Sequence, residues 1–216
     1  MGSEILSKIS SALQIGKAKE VKTLVQEALD NGISAQEILN DGLLAGMGIL
    51  GGKFKNNEVY VPDVLIAARA MKAGSEILKP KLASEGVKAS GRVIIGTVKG
   101  DLHDIGKNLV AMMMEGKGLE VTDIGVDVAP EKFIEAAIEK NAEIICCSAL
   151  LTTTMGELKP VIDAAVAAGI RDKVVFMVGG APVNEQYAKS IGADIYTPDA
   201  ATAADAAAAA IIGRNA

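Results

Sequence analysis

The chain holds a single histidine in its 216 residues, His103, within the run Gly100-Asp101-Leu102-His103-Asp104-Ile105-Gly106. Neutral imidazole is the commonest protein ligand for transition metals. It performs well when its second ring nitrogen is hydrogen-bonded, which fixes tautomer and orientation. Asp101 is spaced to make that bond: in an extended segment residues two apart project to the same side, so Asp101 and His103 share one side and Leu102 takes the other.

The metal chemistry open to such a site is narrow. A structural zinc site takes four protein ligands and a catalytic one usually three, in recognisable spacings that this chain lacks. Cys146 and Cys147 are adjacent in an apparent strand, so their thiols point to opposite faces and cannot grip one ion together. If His103 binds a metal, the ion has to arrive with its other positions already filled, as in a haem or a corrin ring. The alternative is a loop histidine hydrogen-bonded to its neighbour, and the residue alone leaves both open.

The elements that must position this loop can be read on either side of it. Residues 92–98 are a β-branched run that predicts a buried strand, and residues 107–114 are good helix formers. His103 is therefore expected on a strand-to-helix loop, where open α/β sheets place their ligands. Beyond residue 91 the pattern of strand, loop and helix repeats, with strands predicted at 92–98, 120–124, 143–148, 173–178 and 194–196. Helices are predicted near 104–116, 130–140, 155–168, 184–190 and 199–212. Such alternation implies a parallel sheet with helices on both faces, and the flavodoxin-like order 2-1-3-4-5 puts the ligand crevice between the ends of strands 1 and 3.

That order brings three unusual loops to one edge. The first carries Asp101 and His103. The loop after strand 3 carries Ser148-Ala149-Leu150-Leu151-Thr152-Thr153-Thr154, with four hydroxyls in seven residues. The loop after strand 4 carries Gly179-Gly180-Ala181, where backbone can approach a ligand unobstructed. Taken singly, the hydroxyls could be helix caps and the glycines a plain turn; their convergence favours a site.

Ahead of the sheet, residues 3 to about 85 have no strand-like run. Apolar residues recur at helical spacing in four groups: Ile5, Ile9, Ala12 and Leu13; Val21, Leu24, Val25, Ala28 and Leu29, stopped by Asn31-Gly32; Ile38, Leu43, Met47 and Leu50, opened by a Ser34/Glu37 capping box; and Val64 to Leu78, opened by Pro62. Four such helices make a small bundle. The connection read at 51–61 carries Phe54 and Tyr60, for which an ordinary hydrophobic staple is the simpler explanation. A Gly-bounded polar linker is read at 86–91.

Half the residues are apolar but only 3% are aromatic and Trp is absent, so the core is aliphatic. Lys and Arg number 22 against 27 Asp and Glu, a mildly acidic balance that argues against a nucleic-acid surface. No apolar run reaches membrane-spanning length, and the charged start does not read as a signal peptide. Two adjacent cysteines cannot form a disulfide framework, so a cytoplasmic location is expected.

With these residues assembled, the chain resembles the cobalamin-binding module of the methionine-synthase type, and most closely the free-standing corrinoid methyl-carrier proteins of methyltransferase systems for methylamines, methanol, betaines or aryl methyl ethers. The likeness rests on Asp101-x-His103-x-x-Gly106, then Ser148-x-Leu150, then Gly179-Gly180, behind a four-helix segment. It implies a helical-bundle cap at 1–85, a linker at 86–91 and a Rossmann-like cobalamin-binding domain at 92–216. It implies that His103 displaces the dimethylbenzimidazole base of the cofactor and becomes the lower axial ligand of cobalt, hydrogen-bonded by Asp101, with Thr154 in the place of a serine that completes the relay. Leu102, Asp104, Ile105 and Leu150 count among the cofactor contacts. Ser148 and Thr152 would hold the displaced base, Gly106, Gly179 and Gly180 would line the channel for the cofactor's tail, and Phe54, Tyr60 and Val61 would shield the upper cobalt face. The run Ala181-Pro182-Val183-Asn184 departs from methionine synthase, which has hydroxyls there.

The function so implied is carriage of a methyl group, as methylcobalamin, from a substrate-specific methyltransferase to a second methyltransferase acting on a thiol or pterin. A reductive activase would be a further partner, and the chain would be a carrier subunit rather than a complete enzyme. Three other readings compete. A cobalamin-dependent sensor or regulatory module would need a DNA-binding segment; the corrinoid domain of a carbon-skeleton mutase would lack residues 3–85 in this form; a cofactor-free signalling domain of flavodoxin-like fold would be colourless.

Overall fold

Helical spacing of apolar residues governs the first part of the chain. The structure, a computed structural model, describes residues 2–85 and 89–215, and two compact units divide them. One comprises the residues up to Ala89 with Gly116–Gly118; the other comprises Ser90–Glu115 and the residues from Leu119 onward. Of the linker read at 86–91, residues 86–88 lie outside the described residues.

In the helical unit, α1 (Gly2–Gln14) buries Ile5, Leu6, Ile9, Ala12 and Leu13 along one stripe, and α2 (Ala18–Asp30) buries Val21, Val25 and Ala28. Ser34 accepts the Glu37 N–H on Oγ at 3.2 Å and so opens α3 (Ala35–Glu37). This helix continues through a π-helical segment, Ile38–Leu44, into α4 (Ala45–Lys55). Gly46 lets α4 close on α1, since a Cβ there would stand 3.1 Å from the Ser10 Cα. The connection expected at 51–61 is shorter than the sequence suggested. Gly51-Gly52 does not break α4, because burial of Leu50 and Gly51 outweighs the intrinsic cost of glycine in a helix, about 1 kcal/mol each. Only 56–60 are left as the connection. Next comes α5 (Val61–Ser84), with Pro62 in its first turn and the Asp63 carboxylate accepting the Tyr60 N–H at 2.8 Å.

In the second unit, β1 (Arg92–Thr97), β2 (Glu120–Asp123), β3 (Ile144–Ser148), β4 (Val175–Gly179) and β5 (Ile195–Tyr196) are parallel in the order β2-β1-β3-β4-β5. Parallel neighbours require crossovers, supplied by α6 (Ile105–Glu115), α7 (Pro130–Lys140), α8 (Leu158–Ala167) and α9 (Glu185–Ile191), with α10 (Ala200–Asn215) closing the unit. The crossover into β2 runs opposite to the later three. Right-handedness therefore puts α7, α8 and α9 over one face, while α6 packs with α10 over the other. Phe133 and Phe176 lie fully buried among Ile94, Ile145, Cys147 and Val178 on the α7–α8 face. The register sets Thr97, Ser148 and Gly179 side by side across β1, β3 and β4, so the three loops of interest leave the sheet from one line. Boundaries differ from the sequence reading by at most three residues, and α7 matches it at both ends: 155–157 form a 3-10 turn before α8, and 171–173 another before β4.

Cys146 and Cys147 lie on opposite faces of the central strand, and both are buried. Burial pushes the Cys146 thiol up to about 12 and that of Cys147 well above its ordinary value. Both are therefore protonated and inert in the folded chain. A thiol reagent at pH 8 is expected to modify neither in native protein and both together through the urea transition, followed by absorbance of the released thiolate. Rapid labelling without urea would contradict the placement of β3.

Candidate functional site

The loop between β1 and α6 turns on one carboxylate. Asp101 has no solvent-exposed surface, and each of its oxygens is committed. Oδ1 accepts the His103 ring Nδ1 at 2.7 Å and the His103 backbone N–H at 3.1 Å. Oδ2 accepts the Thr154 hydroxyl at 2.6 Å and the Leu150 N–H at 2.7 Å, with the Leu151 N–H at 3.4 Å. The two halves of this arrangement come from loops about fifty residues apart, brought together because β1 and β3 are adjacent. Burial by itself raises the Asp101 carboxyl, but the hydrogen bonds from Thr154, the His103 N–H, the Leu150 N–H and the His103 ring outweigh it. They hold the group well below the usual carboxylate range. Asp101 is therefore an anion at every working pH, and it fixes Nδ1 of His103 as the protonated nitrogen, leaving Nε2 with its lone pair.

The ring itself is half exposed. Among the described residues no three His, Cys, Asp or Glu side chains stand close enough to hold a metal together. The donor set thus offers one imidazole nitrogen, which suits an ion whose other ligands come with it. Around it stand large apolar side chains left in solvent: Leu102 at 71% exposed and Ile105 at 75%, with Val126, Leu150 and Leu151 each near 40%. All five belong to loops or a helix start at the edge where β1, β2 and β3 end. Apolar exposure of this kind marks a binding surface.

The other residues singled out in the sequence fall in two places. Ser148 ends β3 between Thr97 and Gly179; Thr152 lies on the exposed loop after it, and among the described residues neither hydroxyl has a hydrogen-bond partner in the chain. Gly106, in the first turn of α6, has open space where a side chain would be. Gly180 is fixed by backbone instead: at φ +129° its missing Cβ would fall 1.8 Å from the Ala149 carbonyl oxygen, so only glycine lets the β3 and β4 loops lie this close. Gly179 accepts the Ala149 N–H at 3.1 Å. Asp104 precedes α6 and accepts the Asn108 side-chain amide at 3.0 Å. Phe54, Tyr60 and Val61 belong to the helical unit: Phe54 is half-buried in the last turn of α4, Tyr60 is exposed, and Val61 begins α5.

The structure also adds residues that sequence reasoning missed. The hydroxyl of fully buried Thr97 donates to the His103 carbonyl at 2.8 Å. Asp127 accepts the Gly100 N–H at 2.7 Å. Lys107, buried on α6, pairs with the Asp123 carboxylate at the end of β2 and donates to the Asn108 side-chain oxygen at 2.7 Å. A lysine inside a helix-former run carries no sequence mark of burial, and Thr97 reads as an ordinary strand residue.

Comparison with known proteins places the chain among B12-binding proteins. The B12 binding domain family matches residues 91–209, and a second B12 binding domain family matches residues 5–79. The chain is 42% identical over 210 residues to trimethylamine corrinoid protein 2 of Methanosarcina acetivorans, covering 96% of this chain and 97% of that protein. It is 43% identical over 202 residues to the dimethylamine corrinoid protein of Methanosarcina barkeri, covering 93% and 94%. Its fold superposes on a chain of the methanol:cobalamin methyltransferase complex of Methanosarcina barkeri with a TM-score of 0.88 at 32% identity, covering 97% of this chain and 80% of that one. No helix among the described residues is long and apolar enough to cross a membrane.

Asp101→Asn turns one acceptor oxygen into a donor, so either the His103 contacts or the Leu150 and Thr154 contacts become donor against donor. The expected loss at neutral pH is about 1–3 kcal/mol in urea unfolding. The wild-type carboxyl is depressed by folding. Its stabilisation is therefore complete above the unfolded carboxylate pKa, about 4, and fades as pH falls towards the lower folded value. The stability gap between wild type and Asp101→Asn is expected to shrink below about pH 4; a pH-independent gap would show that the Asp101 charge is not what the donors hold.

Proposed function

Because the chain belongs to the corrinoid-protein family of B12-binding proteins, with cobalamin as its cofactor, we propose that it carries a methyl group on cobalamin between two methyltransferases and holds cobalt from below through His103. When bound, the corrinoid supplies a cobalt centre that accepts and gives up the methyl group. The residues of the chain do the rest. His103 presents Nε2 as the axial donor in place of the cofactor's own base. Asp101 keeps the proton on Nδ1 and, by its negative charge, strengthens the imidazole as a donor. Thr154 donates to Asp101 and so moderates that charge, a handle on how firmly the ligand is held. The single observation that carries this reading is the fully buried Asp101, hydrogen-bonded to a half-exposed, otherwise unpartnered imidazole.

Three further features support cobalamin carriage at this edge. The exposed apolar side chains Leu102, Ile105, Leu150 and Leu151 suit the face of a large ring. The uncommitted hydroxyls of Ser148 and Thr152 suit the displaced base, and the side-chain-free positions Gly106 and Gly179 suit the tail, with Gly180 setting how close the β3 and β4 loops lie beside it. Two methyltransferases, one for the methylated substrate and one for the acceptor, complete the system, with a reductive activase to restore the cofactor after oxidation. Relatives of this similarity are named for trimethylamine and dimethylamine, so methylated amines are the first donors to assay and methanol the comparison.

The test is reconstitution with cobalamin and reduction to the Co(II) state. With nitrogen-15 histidine incorporated, wild type is expected to show nitrogen-15 hyperfine splitting in its electron paramagnetic resonance spectrum, a doublet that is absent from His103→Gln, whereas the cofactor's own base would give a nitrogen-14 triplet. The variant is also expected to lose at least ten-fold in methyl transfer to the acceptor enzyme. Identical spectra for the two proteins would remove His103 from the metal.

A further inference from the structure

The Asp101 carboxylate fixes the imidazole ring, but a ring is placed no better than the main chain that bears it. Residues 99–104 have no regular secondary structure, and two residues outside this loop hold three of its backbone groups. Asp127, in the connection between β2 and α7, accepts the Gly100 N–H on Oδ1 at 2.7 Å and donates its own N–H to the Asp101 carbonyl at 2.9 Å. One residue thus grips the backbone on both sides of the Gly100–Asp101 peptide. Thr97, the last residue of β1, donates its hydroxyl to the His103 carbonyl at 2.8 Å.

Asp127 does this from a left-handed backbone, φ 53°, which side-chain-bearing residues disfavour and Asp and Asn tolerate best. The connection that presents it is itself pinned. Lys107 pairs with Asp123, whose other oxygen accepts the Gly125 N–H at 2.9 Å. The Gly125 carbonyl accepts the Thr97 N–H, and Val128 donates to the Thr97 carbonyl, both at 3.0 Å. Asp127 is exposed, and its hydrogen bonds to the His103 loop are to backbone groups, whereas the imidazole is hydrogen-bonded to Asp101.

We propose that Asp127 and Thr97 are positioning residues for the axial histidine: together they lock the main chain of the loop so that Nε2 of His103 stays at the height and angle that axial ligation requires. This rests on His103 being the lower cobalt ligand. Sites that need a defined geometry tolerate displacements of only about 0.5 Å, and an unbraced loop of this length samples more.

The test uses the full chain, labelled with nitrogen-15 histidine, loaded with cobalamin and reduced to Co(II), with the ratio of cobalt coupled to nitrogen-15 to cobalt not so coupled read by electron paramagnetic resonance. Asp127→Gly removes the acceptor while easing the left-handed backbone, so the fold is retained; Asp127→Asn keeps an acceptor oxygen. Asp127→Gly and Thr97→Val are each expected to lower the ratio by about five-fold, the equivalent of one hydrogen bond, and Asp127→Asn to restore it to near wild type. Because His103 is the only histidine, nitrogen-15 shifts of its ring in cofactor-free protein give a second readout: Asp127→Gly is expected to move them towards those of a free imidazole. Thr97 is buried, so Asp127→Gly decides the outcome if Thr97→Val does not fold. Coupled wild type with an unchanged ratio in Asp127→Gly overturns the brace and leaves His103 as ligand, and so does Asp127→Asn behaving like Asp127→Gly. Absence of coupling in wild type overturns the axial role and the brace together.

Discussion

A carboxylate with no solvent contact is the constraint to which the sheet unit answers. Burying an unpaired Asp101 would cost several kcal/mol, so the anion is tenable only where enough donors surround it. Four strong donors do so: two from His103, one from the Leu150 backbone and one from the Thr154 side chain. None works from a distance, and half of them lie on another loop. The β1 and β3 ends must therefore meet before the histidine has a defined orientation. This ties ligand geometry to the integrity of the sheet.

The parallel order makes that meeting cheap. Because β1 lies between β2 and β3, the loop after β1 has neighbours on both sides. From the β3 side come the Leu150 and Thr154 donors to Asp101, and from the β2 side comes Asp127, which holds the adjacent backbone. Gly179-Gly180 continues the line from β4, with the Gly180 position so close to Ala149 that any side chain would force the two loops apart. An outer strand could not offer the same two-sided support, which is the physical sense of ligands gathering where strand order reverses in open α/β sheets.

Much of this was legible in the sequence, for reasons that also mark where legibility stops. Strand order followed from five strand–helix repeats, since parallel neighbours leave few alternatives. The Asp101–His103 contact followed from spacing two in an extended segment, and the Ser34 cap and the Asn31-Gly32 stop from local chemistry. By contrast, α4 ran through Gly51-Gly52 because tertiary burial overrode a weak local preference. Likewise, the π-helical segment at Ile38–Leu44 has no local signature. Thr97, Asp127 and the Lys107–Asp123 pair stayed invisible for a common reason: each acts on a backbone or side chain outside its own element, and its residue type fits an ordinary strand, turn or helix surface equally well.

One imidazole cannot by itself hold a large cofactor in place. A single coordination bond sets where cobalt sits along one axis but leaves the ring free to tilt and turn about it, so the remaining orientation has to come from surface. The apolar side chains Leu102, Ile105, Val126, Leu150 and Leu151 are stranded in water at this edge, and covering them gives about 25 cal/mol per Å² of apolar area. That gain does not depend on the oxidation state of the metal, whereas the strength of the axial bond does. A carrier that must keep its cofactor while the metal passes through states of different ligand demand has reason to separate the two tasks. With His103 as the proposed ligand, apolar contact and the tail would hold the cofactor in the chain, and the Asp101-backed histidine would be left to respond to the metal alone.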